Sequence, residues 1–324
     1  MKLSCIVLSL CTTVLSFSVS RAQMIDNTLA FKNINEDRYF RFDYENDFFS
    51  ATDIYYTQGF IFEYAAPWVR KFPISKILWH PVQGQQQYSL ALEHNGFTPT
   101  SLGSDTILHG DRPFCASVMI KTSQTTIDNQ HHQRFSTSFA IGAIGPAAIG
   151  AEMQTYIHQK LLSDAPPHGW GNQIHNDIIL NYRLNYEKEI WSYGKLASLS
   201  ANGELNAGTL TDNTNAGISL IVGYLDNPFQ IIEANGKHFR IYAYDHPQVN
   251  IIGYDATLEG GILNHTSPYV INTSNIVRVV FQNRVGFVAS YKGIYLEYFQ
   301  TFLSAEFKTG LSHKWGGIQI AFAL

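Results

Sequence analysis

The chain has 324 residues and a formal net charge of −4, with 45% hydrophobic, 14% aromatic and only 15% charged residues. This is an aromatic-rich, charge-poor balance beside an ordinary soluble domain, and it fits a β protein in contact with lipid. Nucleic acid is excluded as a partner, because near-neutral charge offers no basic stripe for the long-range attraction of phosphates.

Met1-Lys2 is followed by an apolar run from Leu3 to about Val19 and then by Ser20-Arg21-Ala22-Gln23. The pattern reads as a secretory signal peptide over residues 1–23, cleaved near Ala22 or Gln23, ahead of a mature domain at 24–324. The run is short for a membrane anchor, and no stop-transfer pattern follows it. Cys5 and Cys11 would leave with the signal, so the mature chain keeps Cys115 alone and forms no internal disulfide. No later stretch approaches the roughly 18 to 20 uninterrupted apolar residues of a spanning helix. A membrane location therefore requires a closed barrel.

Period-2 alternation dominates the mature chain, as strands with one apolar and one polar face require. Phe40, Phe42 and Tyr44 oppose Arg41, Asp43, Glu45 and Asp47; Phe60, Phe62 and Tyr64 oppose Thr57, Gly59 and Glu63. Further on, Leu180, Tyr182, Leu184 and Tyr186 oppose Asn181, Arg183, Asn185 and Glu187, and Ile318, Ile320 and Phe322 oppose Gln319 and Ala321. The alternation predicts strands at 37–47, 54–66, 87–95, 113–122, 132–143, 177–189, 195–207, 213–224, 238–257, 275–290, 293–304 and 312–324, with His246-Pro247 read as a bulge. The expected fold class is all-β: a transmembrane antiparallel β-barrel of about twelve strands, apolar outside and polar inside. With both termini in the periplasm, the loops at 48–53, 96–112, 144–176, 208–212, 258–274 and 305–311 face outward. Several of these are long, and the opposite turns, such as Ser192-Tyr193-Gly194 and Tyr291-Lys292-Gly293, are expected to be short.

One outer loop carries a helical pattern. Residues 146–162 open with Pro146 and space Ile149, Met153, Tyr156 and Ile157 as an amphipathic helix at the barrel rim. On it Gln154 and His158 lie four apart and share a face, with Gly150 one turn earlier leaving room. The first outer turn, Glu45-Asn46-Asp47, and the next strand, Tyr56-Thr57-Gln58, approach the same height, and strand parity points Asp47 and Thr57 into the barrel. A histidine, an amide, a carboxylate and a hydroxyl thus gather at the outer rim. Arg112 and Trp170 are candidate substrate contacts, against the plainer readings of a rim ion pair with Asp111 and an interfacial anchor.

The set Asn46-Asp47, Tyr56-Thr57-Gln58-Gly59, Gly110-Asp111-Arg112-Pro113-Phe114, Gln154-x-x-x-His158, Gly169-Trp170, Gln173 and Glu306-Phe307-Lys308-Thr309-Gly310 resembles the LpxR-type outer-membrane lipid A 3′-O-deacylases, in order and separation, across nearly the whole mature chain. The resemblance implies a twelve-stranded barrel in the bacterial outer membrane and a calcium-dependent hydrolase that releases the acyloxyacyl group esterified at the 3′ position of lipid A. It implies lipid A or lipopolysaccharide as substrate within outer-membrane lipid, and no protein partner. By position, His158 would be the general base beside Gln154, with Asn46, Asp47 and Thr57 organising the metal and the oxyanion and Asn46 and Asp47 as the Ca²⁺ ligands. The family can carry a lysine in the second outer loop. Residues 98–107 have none here, and Arg112 is the nearest cation.

The chemistry is coherent apart from the resemblance. Ester hydrolysis needs a base that titrates near the operating pH, which histidine supplies, and oxyanion stabilisation, which a hard cation on oxygen ligands provides. No Gly-x-Ser-x-Gly elbow occurs, so water is a better nucleophile than serine. A non-enzymatic barrel, either a pore or a binding protein, and a phospholipase on the same scaffold are the alternatives.

Overall fold

The computed structural model describes residues 37–52, 54–159, 167–226, 228–229 and 239–324. The expected signal peptide, Asp53 and the expected continuation of the rim helix to residue 162 lie outside the described residues. Twelve strands form one closed antiparallel barrel in which each strand pairs with its sequence neighbours and β1 pairs with β12. They are β1 (Tyr39–Asn46), β2 (Tyr55–Ala65), β3 (Gln85–Thr98), β4 (Cys115–Asp128), β5 (Gln133–Ile144), β6 (Asp177–Tyr193), β7 (Ala197–Gly208), β8 (Thr211–Tyr224), β9 (Phe239–Asp255), β10 (Val279–Tyr291), β11 (Ile294–Leu303) and β12 (His313–Ala323). Every strand expected from alternation is present. The seam runs from Tyr39 opposite Ala323 to Asn46 opposite Gly316.

Alternation decides what each face holds. Along β11 buried and exposed residues alternate without interruption. Outward positions such as Phe62, Leu92, Ile120, Leu180 and Leu205 are exposed, forming an apolar band. Inward positions carry charge, and most of it is paired inside the lumen: neighbouring strands join Arg41 with Glu63 at 2.8 Å, Lys121 with Glu93 at 2.6 Å and Arg183 with Glu204 at 2.6 Å, while Arg284 of β10 lies 3.6 Å from both Glu297 of the adjacent β11 and Glu45 of β1. Such burial is tolerated only with partners, since an isolated ion in a dry interior would be strongly disfavoured. A cavity of about 50 Å³ remains beside Glu93, Lys121 and Arg183, room for a few waters. The lumen is a packed polar core.

The structure corrects one expectation and adds two features to it. First, Pro247 produces no bulge: β9 keeps one register against β10 through Asn283–Pro247, and the same register against β8 on either side of it. Proline removes a single N–H and fixes a φ that an extended strand accommodates, while the irregularity of the β8–β9 ladder falls at Asp212/Asn213. Second, the connections opposite the long loops are not all short. Lys292-Gly293 is a two-residue turn with both φ values positive, 49° and 77°, the type I′ geometry that matches strand twist, but residues 66–84 form a long strap with two 3-10 turns, Pro67–Lys71 and Pro73–Ile77. Third, the rim helix α1 (Gly150–Ile157), preceded by a 3-10 turn at Pro146–Ala148, has its amphipathicity inverted. Gln154 is 2% exposed, whereas Ile149 is 54% and Tyr156 61% exposed.

If the outward band faces hydrocarbon, a cation placed on it should destabilise the barrel far more than a polar change in the lumen. Ile120→Arg, midway along β4, is expected to lower stability by about 2–4 kcal/mol. Reversible urea unfolding in lipid vesicles, compared with Ile120→Leu, measures it.

Candidate active site

Asn46 ends β1 and caps the 3-10 turn Asp47–Ser50: its Oδ1 accepts from the Phe48 N–H at 2.7 Å, the N-cap role that suits asparagine. Its Nδ2 donates to the Thr57 carbonyl at 2.6 Å and the Tyr44 hydroxyl at 3.2 Å. Asn46 therefore ties the end of β1 to the start of β2. Asp47 is buried beside it, with Oδ2 accepting from the Ile54 N–H at 2.6 Å.

Thr57 breaks the alternation of β2. Tyr56 pairs with Phe97 and Gln58 with Gly96, so Thr57 is the extra residue of a β-bulge, a feature that re-aims side chains. Tyr56 turns inward, its ring 5.5 Å from Phe97 and 5.2 Å from Trp315. Thr57 lies on the outer wall: its Cγ2 is 3.5 Å from where a Cβ on Gly96 would stand, and Gly96 alternates with the lumen-lining Asn95 and Phe97. The inward orientation expected for Thr57 is thereby corrected.

The loop between β5 and β6 folds back over this same wall. The Gly145 N–H donates to the Ala116 carbonyl at 2.8 Å, and His94, stacked on Phe60 at 5.0 Å, places Nε2 2.9 Å from the Ala148 carbonyl. Helix α1 follows, pressed so closely onto β4 that a Cβ on Gly150 would stand 2.5 Å from the Ala116 Cβ and 2.8 Å from the Trp170 ring. Only glycine admits that approach. Gln154 then reaches across, donating through Nε2 to Thr57 Oγ1 at 3.2 Å, while its Oε1 accepts from Trp170 Nε1 at 2.6 Å. A continuous relay results: Trp170, Gln154, Thr57, Asn46. His158 lies one turn beyond Gln154 and half-buried, its backbone N–H donating to the Gln154 carbonyl.

Trp170 and Arg112 occupy positions other than those expected. Trp170 is buried against Phe114, Ala116 and Ala148, so it anchors the helix instead of meeting the membrane interface or a substrate. Arg112 is 2% exposed. Its guanidinium pairs with Glu306, donates to Thr257 Oγ1 at 2.7 Å and lies over the Phe97 ring at 4.3 Å, while Asp111 binds Thr100 and the Arg112 backbone instead of pairing with that guanidinium. Burial pushes the Glu306 carboxyl up to about 7, a rise that Arg112 opposes. Arg112 thus joins three outer loops from within, where a lipid phosphate does not reach. His94, beneath the Ala148 carbonyl, was marked by no motif.

Calcium chemistry fits one of the two expected ligands. Asp47 offers a hard anionic oxygen, but the Asn46 amide oxygen is engaged by the Phe48 N–H, and among the described residues no three His, Cys, Asp or Glu side chains cluster as a metal site. The rest of a shell of roughly six to eight oxygens would come from backbone carbonyls and water.

A sequence profile described as outer membrane protein LpxR matches residues 6–324. The chain belongs to the LpxR family. LpxR from Salmonella typhimurium superposes with a TM-score of 0.73 at 17% identity, covering 88% of this chain and 100% of that one, a likeness of fold. More distant barrels include the β domain of the Bordetella autotransporter Brka, with a TM-score of 0.46, 9% identity, and coverage of 89% and 98%. The Pseudomonas putida toluene transporter TodX has a TM-score of 0.36 and 8% identity, covering 93% and 94%. No curated protein sequence matches. As an LpxR-family barrel the protein resides in the outer membrane.

Because Gly150 sets the helix on the wall, Gly150→Val should force α1 outward. The expected loss is about 1–3 kcal/mol of local stability from overpacking. Hydrogen exchange of residues 150–158 should accelerate while the strands stay protected.

Proposed function

We propose that this protein is a lipid A deacylase that hydrolyses the ester-linked 3′-acyloxyacyl chain at the outer leaflet, with His158 activating water. The observation that carries the reading is the hydrogen-bonded relay from Trp170 through Gln154 to Thr57, held on the outer wall of the rim beside His158. A catalytic site on that wall meets a lipid ester without drawing the lipid into the barrel. Family membership supports the same chemistry, and a lumen filled by buried charged and polar side chains is poorly suited to a pore.

His158 accepts a proton from water as the oxygen bonds to the ester carbonyl carbon, and returns it to the sugar oxygen as the carbon–oxygen bond breaks, leaving the released acyloxyacyl acid and a 3′-hydroxyl. The relay prepares Thr57 for the intermediate. With its oxygen held by the Trp170 N–H, Gln154 must present N–H to Thr57 Oγ1, which leaves the threonine proton free to donate to the oxyanion. Asn46 holds the turn from which Asp47 projects. Asp47 would anchor a calcium ion, whose charge would supply further oxyanion stabilisation when bound.

Mass spectrometry of lipid A from cells expressing the wild type should show loss of one acyloxyacyl group, absent with His158→Ala at matched outer-membrane levels. Thr57→Val should retain residual activity, reduced roughly 10²- to 10³-fold. Chelation with EDTA should stop acyl release by the purified protein and added Ca²⁺ restore it. Unaltered lipid A with a folded wild-type barrel would sink the proposal, and acyl loss from phospholipid alone would reassign the substrate.

A further inference from the structure

The strap between β2 and β3 lies at the end of the barrel opposite the candidate site, and it does not hang free. Its two 3-10 turns contact β3 and β4, and its later residues reach β5 and β6: the Trp79 ring lies edge-on to Phe135 at 5.4 Å, the Trp79 backbone N–H donates to the Tyr182 hydroxyl at 2.9 Å, and that hydroxyl donates to the Ile77 carbonyl at 2.8 Å. Tyr182 belongs to the outward face of β6, so the strap is wrapped along the outside of the wall.

What it covers explains why. Tyr88, Thr122, Gln124, Thr126, Phe135 and Thr137 alternate with the lumen-facing residues of their strands and so point outward, yet all are buried. Left bare, four hydroxyls and an amide on the wall would meet hydrocarbon unsatisfied. Thr137 donates to the Trp79 carbonyl and Gln124 to Thr126, while Val69 and Leu78 are buried as the strap's anchors.

The strap's own outer surface has a definite composition. Trp68, Ile77 and Trp79 are exposed, and among them stand Arg70, Lys71 and Lys76, also exposed and without an acidic partner among the described residues. Trp68 meets Tyr64 at a tilt, with ring centroids 6.0 Å apart, and Phe72 edge-on at 5.3 Å. Aromatic and aliphatic side chains beside lysine and arginine, on a segment continuous with a lipid-facing wall, match an element lying in the plane of a membrane interface.

We propose that the segment 67–80 is a phospholipid-binding strap at the periplasmic leaflet, in which Trp68, Ile77 and Trp79 enter the acyl boundary and Arg70, Lys71 and Lys76 hold glycerophospholipid phosphates. The proposal is separate from deacylation, which belongs to the other rim. The two readings can fail independently.

Native mass spectrometry of protein extracted from outer membranes tests it. The wild type should retain phospholipid, and the triple variant Arg70→Gln, Lys71→Gln, Lys76→Gln should lose it roughly tenfold, with heat-modifiable mobility on gels unchanged as proof of a folded barrel. Equal retention by both, or none by either, overturns the proposal. So does loss of a co-purifying periplasmic protein with phospholipid retained, which would reassign the strap to a protein partner. If the triple variant does not assemble, the wild type decides: its unfolding temperature should be higher in phosphatidylglycerol nanodiscs than in phosphate-free galactolipid nanodiscs, and equality overturns the idea. Lipid A analysis of the triple variant reports on the other rim separately.

Discussion

Hydrocarbon offers no hydrogen bonds, so every backbone amide that crosses it must find its partner within the protein. Closure of β1 on β12 follows from that constraint, and much else follows from closure. A closed sheet has one face toward lipid and one toward a narrow lumen, which sorts the chain's alternation into an apolar exterior and an interior that must satisfy its own charges. The pairs Arg41–Glu63, Lys121–Glu93 and Arg183–Glu204 are the result. Polar side chains stand on the outer wall where another segment of chain covers them. The β5–β6 loop does this at one end, over Thr57 and His94, and the strap does it at the other, over Thr122, Gln124 and Thr137.

The strands were legible because alternation over ten or more residues has few other physical meanings, and the rim helix because Pro146 and the spacing of its apolar residues marked it. Orientation at Thr57 was not legible. Parity assumes an uninterrupted ladder, and a bulge is defined by what the neighbouring strand does, here Phe97 and Gly96. Trp170 and Arg112 failed for a related reason. Tryptophan and arginine on a long loop look like surface groups until the loop folds inward or back, and the partners that bury them, Gln154 and Glu306, are remote in sequence. The strap escaped notice because its short turns, each opened by a proline, have neither strand nor helix periodicity.

The inverted helix also falls into place. In a soluble protein Ile149 and Tyr156 would face the core and Gln154 the solvent. Here the barrel wall takes the polar face, because Thr57 and Trp170 satisfy the amide, and the apolar residues are left exposed. The rim therefore presents a greasy rather than a hydrated approach to its polar relay.

The seam has a consequence in time. Tyr39 must find Ala323, and Asn46 must find Gly316, so the last ladder to form joins the two extremes of the chain. Contacts of such high sequence separation are slow to establish. Hairpins such as the one turned at Lys292-Gly293 can zip as they emerge, but the unclosed sheet keeps two raw edges until the final strand arrives. The protein thus depends on being delivered whole: a chain truncated within β12 would retain nearly all of its local pairings and still be left with open edges that favour aggregation over insertion.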